Sequence, residues 1–346
     1  MMPAPPQAIG VPEVVAGILV VLLNAYVLMG GADFGGGTWD LLASGPRQAA
    51  QRELIAAQIG PIWEANHVWL VVAVVVLFTA FPAAFSGVAI ILHVPIALML
   101  IGIVLRGSAF VFRGYGGRGE RERARWGRVF AVASAATPVL LGIVIGAIST
   151  DATGRAIAAL GSGSFTDEFV RPWLAPFPVA VGVMALALFA QLAAVYLALA
   201  ARDGALREDF RRRALGGGAA AIVAACATLA LAAKEAPFMH AGVTKSTWSL
   251  PLIAVTGIAA ALTIWALWRH RFRLARATAA AEVSLVLWGW AAAQYPFLVP
   301  PAITIRAAAA PNATLQLLLW VLACGAAVLV PSLAFLLRTF ARTPRA

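Results

Sequence analysis

Long apolar runs separated by short polar connections dominate the chain, and their lengths predict membrane-spanning helices. A run of about 20 apolar residues matches the hydrocarbon thickness of a bilayer. Hydropathy read against turn residues predicts nine spans, at 11–33, 61–82, 84–106, 128–149, 173–200, 214–233, 249–268, 278–298 and 314–338. The stretch PRQAAQRELIAAQIG (46–60) follows a different pattern. In it and just beyond, Leu54, Ile55, Gln58, Ile59 and Ile62 recur at helical spacing beside Arg47, Arg52 and Glu53, which predicts a helix lying along the membrane surface. It delivers the chain to Pro61, a residue suited to the first position of the next helix. No internal repeat is visible, and no polar stretch is long enough to fold as a separate soluble domain.

Composition removes the soluble alternatives. Of 346 residues 62% are hydrophobic and 12% charged, with a mean hydropathy of +0.87, too little polar surface to cover a globule. No Lys or Arg precedes Arg47, so the first run lacks the basic flank of a secretory signal and is expected to be retained. Cys226 and Cys324 have neither metal-site spacing nor the density of a disulfide framework. The net charge of +11 calls for no nucleic-acid partner. Sorted by alternate connections, the 26 basic residues fall on one side of the membrane except for Arg155, Arg171, Lys234, Lys245 and Arg306. The positive-inside rule then predicts an external N-terminus and a cytoplasmic C-terminus, and makes RGYGGRGERERARWGR a solvated cytoplasmic loop.

Ionisable groups at membrane depth are costly and mark candidate function. Asp33, Glu64, Arg106 and Glu282 qualify, and the predicted topology sets all four toward the cytoplasmic side, as an ion-pair cluster or the lining of a proton entry route. Each also has a plain structural reading. Glu64 falls in the first turn of its helix, where the macrodipole favours a carboxylate. Asp33 ends the first span, in a turn made by GGADFGGG. Arg106 ends the third span and snorkels to the headgroups, and Glu282 is interfacial. The glycine run is no phosphate loop, because neither Lys-Ser nor Lys-Thr follows it and no strand precedes it; it predicts close helix packing or a bend. Glu64 and His67 share a helix face with the Glu-x-x-His spacing of di-iron bundles, but the required second copy is missing. His67 and His93 are expected at different depths, His93 halfway along the third span, which makes them poor joint ligands for one iron.

GPIWEANHVWL (60–70), GGADFGGG (30–37), LRGSAFVFR (105–113) and WGWAAAQYPFLVPPAITIRAAAAPNATL (288–315) together resemble subunit II of the cytochrome bd quinol oxidases, including the cyanide-insensitive branch. The resemblance runs along essentially the whole chain. It implies an all-α integral membrane fold in the bacterial cytoplasmic (inner) membrane, with two four-helix bundles (1–149 and 150–298) and a peripheral ninth helix with its tail (299–346). It also implies a partner, subunit I, that carries haem b and haem d with their axial ligands and the quinol site and reduces dioxygen to water. This chain would then hold no catalytic residue, haem or metal of its own, while a structural quinone and small accessory subunits stay open. Acidic residues of the family near the subunit contact serve a proton route from the cytoplasm. Glu64 stands where the family usually has aspartate after Pro-x-Trp. Asp33 matches the second acid of an Asp-Gly-Phe-Asp-like pattern whose first acid is Gly30 here. Arg106 matches an arginine after the third span, and His67 would orient Glu64 or extend the relay. Trp69, with Trp63, matches aromatics near the subunit contact that would gate small-molecule access. Two other classes fit intramembrane acids and interrupted helices: a proton-coupled secondary transporter and a quinol-linked membrane anchor of a periplasmic reductase.

Overall fold

The computed structural model of the chain describes residues 9–59, 63–115 and 119–342, with the side chains of residues 63, 64, 114, 115, 120 and 336–342 outside that description. Its long helices are α1 (Val11–Leu41), α3 (Trp63–Ala80), α5 (His93–Tyr115), α6 (Glu120–Ile148), α10 (Pro176–Ala200), α11 (Gly204–Glu235), α13 (Ser249–Trp268), α14 (Phe272–Gln294) and α16 (Asn312–Arg342). Shorter helices connect them: α2 (Gln48–Ile59), α4 (Pro82–Ile91), α7 (Asp151–Ala158), α8 (Phe165–Phe169), α9 (Arg171–Leu174), α12 (Pro237–Lys245) and α15 (Ile305–Ala308). A small antiparallel hairpin, β1 (Phe297–Val299) with β2 (Ile303–Thr304), interrupts the helical pattern.

Among the described residues seven helices are long and apolar enough to cross a membrane: α1, α5, α6, α10, α11, α13 and α16. The pair α3–α4 makes an eighth if taken as one span, although it bends by 115°. A helix also occupies the predicted eighth position, α14, but its sequence carries Arg273, Arg276 and Glu282 and it is not among the seven. Exposed apolar side chains cover the outward faces, including Val71 and Phe78 of α3, Ile101 and Val104 of α5, and Leu317 and Trp320 of α16. This surface belongs in hydrocarbon or against another apolar chain.

Several predicted boundaries move, those of the first and third spans among them. The first span does not end at Asp33, because α1 runs straight through GGADFGGG to Leu41. Every glycine in that run is buried and serves contact. A Cβ at Gly35 would collide with the Phe189 carbonyl of α10, one at Gly31 would lie 2.7 Å from the Leu192 side chain, and one at Gly37 would collide with Ser134 of α6. The run therefore buys close approach, not a turn. The third span begins at His93 and extends to Tyr115, nine residues beyond Arg106. Pro82 opens α4 as a separate helix, the chain loosens at Leu92, and Pro95 sits in the first turn of α5, where its missing amide hydrogen is harmless. The amphipathic helix over 46–60 is present as α2, with Gln51, Ile55 and Ile59 buried.

Helix α1 is the axis of the packing. It contacts α3, α6, α10, α14 and α16, while α10 contacts α6, α11 and α14. The Trp39 indole N–H donates to the Ala190 carbonyl at 2.7 Å, fastening α1 to α10. At the end where α1 starts, Gln294 accepts from Ser149 Oγ at 2.8 Å and donates to the Leu298 carbonyl at 2.9 Å, while Trp290 Nε1 donates to Ser149 Oγ at 2.7 Å. The Ala310 amide donates to the Ala80 carbonyl at 2.8 Å, and Arg306 Nε donates to Glu13 at 2.6 Å. The segment 294–310 thus clasps the ends of α1, α3, α6 and α14 together.

Because the Phe189 carbonyl is backbone and has nowhere to move, Gly35→Ala is expected to cost about 1–3 kcal/mol through overpacking. Thermal melting of the chain in mild detergent would read this as a lowered midpoint. Gly257→Ala, which meets open space, should leave the midpoint unchanged or slightly raised.

Candidate functional site: a buried ion pair between parallel helices

Asp33 and Arg106 meet in the interior, at 0% and 1% exposure. Arg106 Nη1 donates to Asp33 Oδ2 at 2.8 Å, and Nη2 donates to both Asp33 Oδ1 and, at 3.3 Å, the Asp33 carbonyl. Its Nε donates to Ser134 Oγ at 2.8 Å, and that hydroxyl in turn donates to the Phe130 carbonyl at 2.7 Å. The guanidinium also lies 4.7 Å from the Phe34 ring centre and 5.1 Å from that of Phe130. A bidentate carboxylate, a hydroxyl and two aromatic faces replace the hydration that burial removes. The placement of both residues at span ends is therefore corrected: each lies inside its helix, Asp33 eight residues before the end of α1, or about 12 Å at the helical rise.

The same two helices make a second pair nearer that end. Arg113 Nη1 donates to Asp40 Oδ2 at 2.9 Å, and Arg52 of α2 stands 3.8 Å from the Asp40 carboxylate. Both pairs join residues separated by 73 in sequence. Each helix therefore advances seven residues between pairs in the same direction, which makes α1 and α5 parallel. Beside this ladder, Arg47 of the α1–α2 connection binds Asp209 of α11 at 2.6 and 2.7 Å. Gln51 donates to Asp209 at 3.0 Å and accepts from Arg213 at 2.8 Å, which locks α2 onto α11.

Deeper than the Asp33–Arg106 pair, two polar side chains have no hydrogen-bond partner. Asn66 of α3 is 0% exposed with both ends of its amide unpartnered, and the Tyr26 hydroxyl on α1 is buried and equally alone. A Cβ at Gly30 would lie 3.1 Å from Asn66 Nδ2 and 3.3 Å from Oδ1. The asparagine amide thus fills the space beside the position where the family pattern has its first acid. Buried polar groups of this kind are the usual hosts of internal water.

The other candidates are distributed differently. Glu64 and Trp63 belong to the first turn of α3, but their side chains lie outside the described residues. His67 is half-buried in a groove lined by Ile103, Val104, Gly107, Ser108, Val111 and Phe112. Trp69 donates its indole N–H to Met29 Sδ at 3.2 Å, holding α3 to α1. His93 is not halfway along a span: it is the first residue of α5, exposed, with Nδ1 2.9 Å from the Ile90 carbonyl and its ring against Phe169. It stands ten or more residues along α5 from the part that faces His67, so the two imidazoles do not converge on one iron. No group of three or more His, Cys, Asp or Glu side chains capable of holding a metal ion occurs among the described residues. Glu282 is not interfacial: it is buried in α14 at 5% exposure and joins Gln191 of α10, away from the ion pair.

Sequence reasoning missed Asp40, Arg113, Ser134, Asn66 and Tyr26. The seven-residue spacing shared by Asp33–Asp40 and Arg106–Arg113 was the available signal for the first two.

These features define a polytopic, all-helical membrane protein organised around a buried arginine–carboxylate pair. The chain belongs to the cytochrome bd terminal oxidase subunit II family, whose model matches residues 11–340. It is 26% identical over 193 residues to the cytochrome bd-I ubiquinol oxidase subunit 2 of Escherichia coli, covering 51% of this chain and 45% of that one. It is 28% identical over 113 residues to the cytochrome bd ubiquinol oxidase subunit 2 of Bacillus subtilis, covering 33% of this chain and only 31% of the relative. A second Bacillus subtilis protein, provisionally named cytochrome bd menaquinol oxidase subunit II, is 22% identical over 326 residues, 92% of each chain. The fold matches a chain in the structure of bd oxidase from Geobacillus thermodenitrificans with a TM-score of 0.78 at 21% identity, covering 95% of this chain and 98% of that one. Family and apolar helices together make it a multi-pass protein of the bacterial inner membrane.

Removing one member of the Asp33–Arg106 pair leaves an uncompensated buried charge, which typically costs about 3–5 kcal/mol. Asp33→Leu and Arg106→Leu are each expected to lower the melting temperature in detergent sharply, and the double variant to recover much of the loss. Single variants that melt like the parent would refute a structural charge pair.

Proposed function

We propose that this chain is the non-haem subunit of a quinol oxidase, assembling with a subunit I that holds haem b and haem d, oxidises quinol and reduces dioxygen to water. The reading rests on the family to which the chain belongs and on a polar column that enters an otherwise apolar molecule from one end. Asp40 with Arg113 and Arg52 forms its mouth, Asp33 with Arg106 and Ser134 its middle, and Asn66 and Tyr26 its unpartnered inner end. The mouth coincides with the end that the distribution of arginines makes cytoplasmic. In this reading the chain crosses the membrane nine times from an external N-terminus, as two four-helix bundles (1–149 and 150–298) and a peripheral last helix.

Protons for oxygen reduction are drawn from the cytoplasm along this side of the subunit. Glu64 accepts a proton arriving from the cytoplasmic side, and His67, one turn further and on the same helix face, orients it or receives the proton next. Arg106 fixes the Asp33 carboxylate and sets the field along the column rather than carrying protons itself, since a guanidinium stays charged. Trp69 and Trp63 flank the contact with subunit I and restrict small-molecule access, while accessory subunits and a structural quinone are further occupants of the same assembly. His67 and His93 do not offer a joint iron site, and in this reading the haem chemistry belongs to subunit I. A secondary transporter would call for broken helices in both halves of the chain, and the described residues contain one bent pair, α3–α4.

The direct test is quinol-dependent oxygen uptake with a reduced-minus-oxidised absorbance spectrum on tagged chain purified from its own cells. Haem b and d bands with oxygen consumption are expected, and a colourless, inactive preparation that retains the partner would overturn the proposal. Glu64→Gln is expected to lower turnover on the order of 10²-fold with haem content unchanged, because the amide keeps the shape and loses the transferable proton. Normal turnover in that variant would assign Glu64 to helix capping instead.

A further inference from the structure

A second carboxyl lies in the interior with no cation to match it. Glu282 of α14 is 5% exposed and Gln191 of α10 is 3% exposed, and Gln191 Nε2 donates to Glu282 Oε2 at 3.2 Å. That amide is the one hydrogen-bond partner of the carboxyl among the described residues. The other end of the amide, Gln191 Oε1, is buried and has no partner.

The surroundings offer no charge either. Leu188 and Leu192 flank the glutamine, and Ala279 and Val283 flank the glutamate. Across the pair α11 presents Gly217 and Gly218, with Ala214 and Ala221 a turn to either side; a Cβ at Gly217 would lie 3.1 Å from Gln191 Cα and one at Gly218 3.3 Å from Nε2. Helix α1 contributes Val27 and Leu28, and on α13 the Thr263 hydroxyl is engaged with Thr278. The nearest cation on α14 itself is Arg276, six residues away, or about 9 Å along the axis, and it is exposed.

An ionised carboxylate with one neutral donor in such a place is poorly solvated. It also leaves the buried Gln191 carbonyl oxygen with no donor. A single proton removes both difficulties. We infer that Glu282 is a neutral carboxylic acid closed into a reciprocal pair with the Gln191 carboxamide, forming a proton-binding site in the second half of the chain that is separate from the Asp33–Arg106 pair. The acid O–H donates to Gln191 Oε1 while Gln191 Nε2 donates to the remaining carboxyl oxygen, so every polar atom of the two head groups facing the other is used. The pair joins α10 to α14 without placing a net charge between them.

Infrared absorption of the purified complex in detergent at neutral pH tests this independently of any oxidase activity. The difference between wild type and Glu282→Gln is expected to contain the carbonyl stretch of a protonated carboxyl, moving to lower frequency in heavy water. Gln191→Leu is expected to move the same band upward, since the acid loses its partner. A pair of carboxylate bands in the first difference overturns the inference, and so does a carboxyl band that Gln191→Leu leaves in place. Should Glu282→Gln fail to accumulate, the difference between wild type and Gln191→Leu decides: a displaced carboxylic acid band supports the pair, and a displaced carboxylate band overturns it.

Discussion

The bond between Asp33 and Arg106 constrains its surroundings more than any other in the molecule, because neither partner reaches water and each is the principal solvation of the other. Keeping it requires α1 and α5 to stay close, Ser134 to face the guanidinium, and two phenylalanine rings to lie over it. Ser134 reaches that place only because Gly37 leaves room for it. The apolar packing of three helices is therefore organised around one polar contact, with glycines admitting the neighbours that the contact needs.

The two ends of the molecule are secured by different means. At the charged end, arginines, Asp40 and Asp209 join α1, α2, α5 and α11 through ion pairs that are partly exposed. At the other end Gln294, Ser149 and Trp290 do much of the corresponding work with neutral hydrogen bonds, beside the single Arg306–Glu13 ion pair, and the hairpin closes over α6 and α14. Exposed ion pairs contribute little to stability individually, so the charged end relies on several of them sharing Asp40, Asp209 and Gln51. Gln294 and Ser149 are buried, and there each lost bond would leave an orphaned polar group.

Helix positions were legible in the sequence because hydropathy depends on composition alone, and α2 was legible because its buried residues follow one face. Helix ends were not. Glycine reads as a breaker, yet in α1 it serves contact, a property that depends on Phe189 and Leu192 more than 150 residues away. Arg106 reads as the end of a span because an arginine in hydrocarbon is costly, and only the acid on α1 explains its depth. Asp33 and Arg106 were legible as members of an ion-pair cluster or proton route, and their seven-residue spacing to Asp40 and Arg113 was there to be read, but which acid meets which arginine appears only once two helices are set side by side. Glu282 was misjudged for the same reason: its partner is a glutamine, which carries no charge to announce it.

The equal spacing of the two ion pairs has a mechanical consequence. If α5 slid along α1 by a single turn, both arginines would leave their carboxylates, and the glycines one turn away offer no replacement side chain. If it slid by two turns, one arginine would find an acid, but the other would be stranded and an aspartate left bare. The two helices therefore behave like a toothed rack with a single stable setting, which lets this part of the molecule tilt or rotate as a unit while forbidding piston motion between α1 and α5.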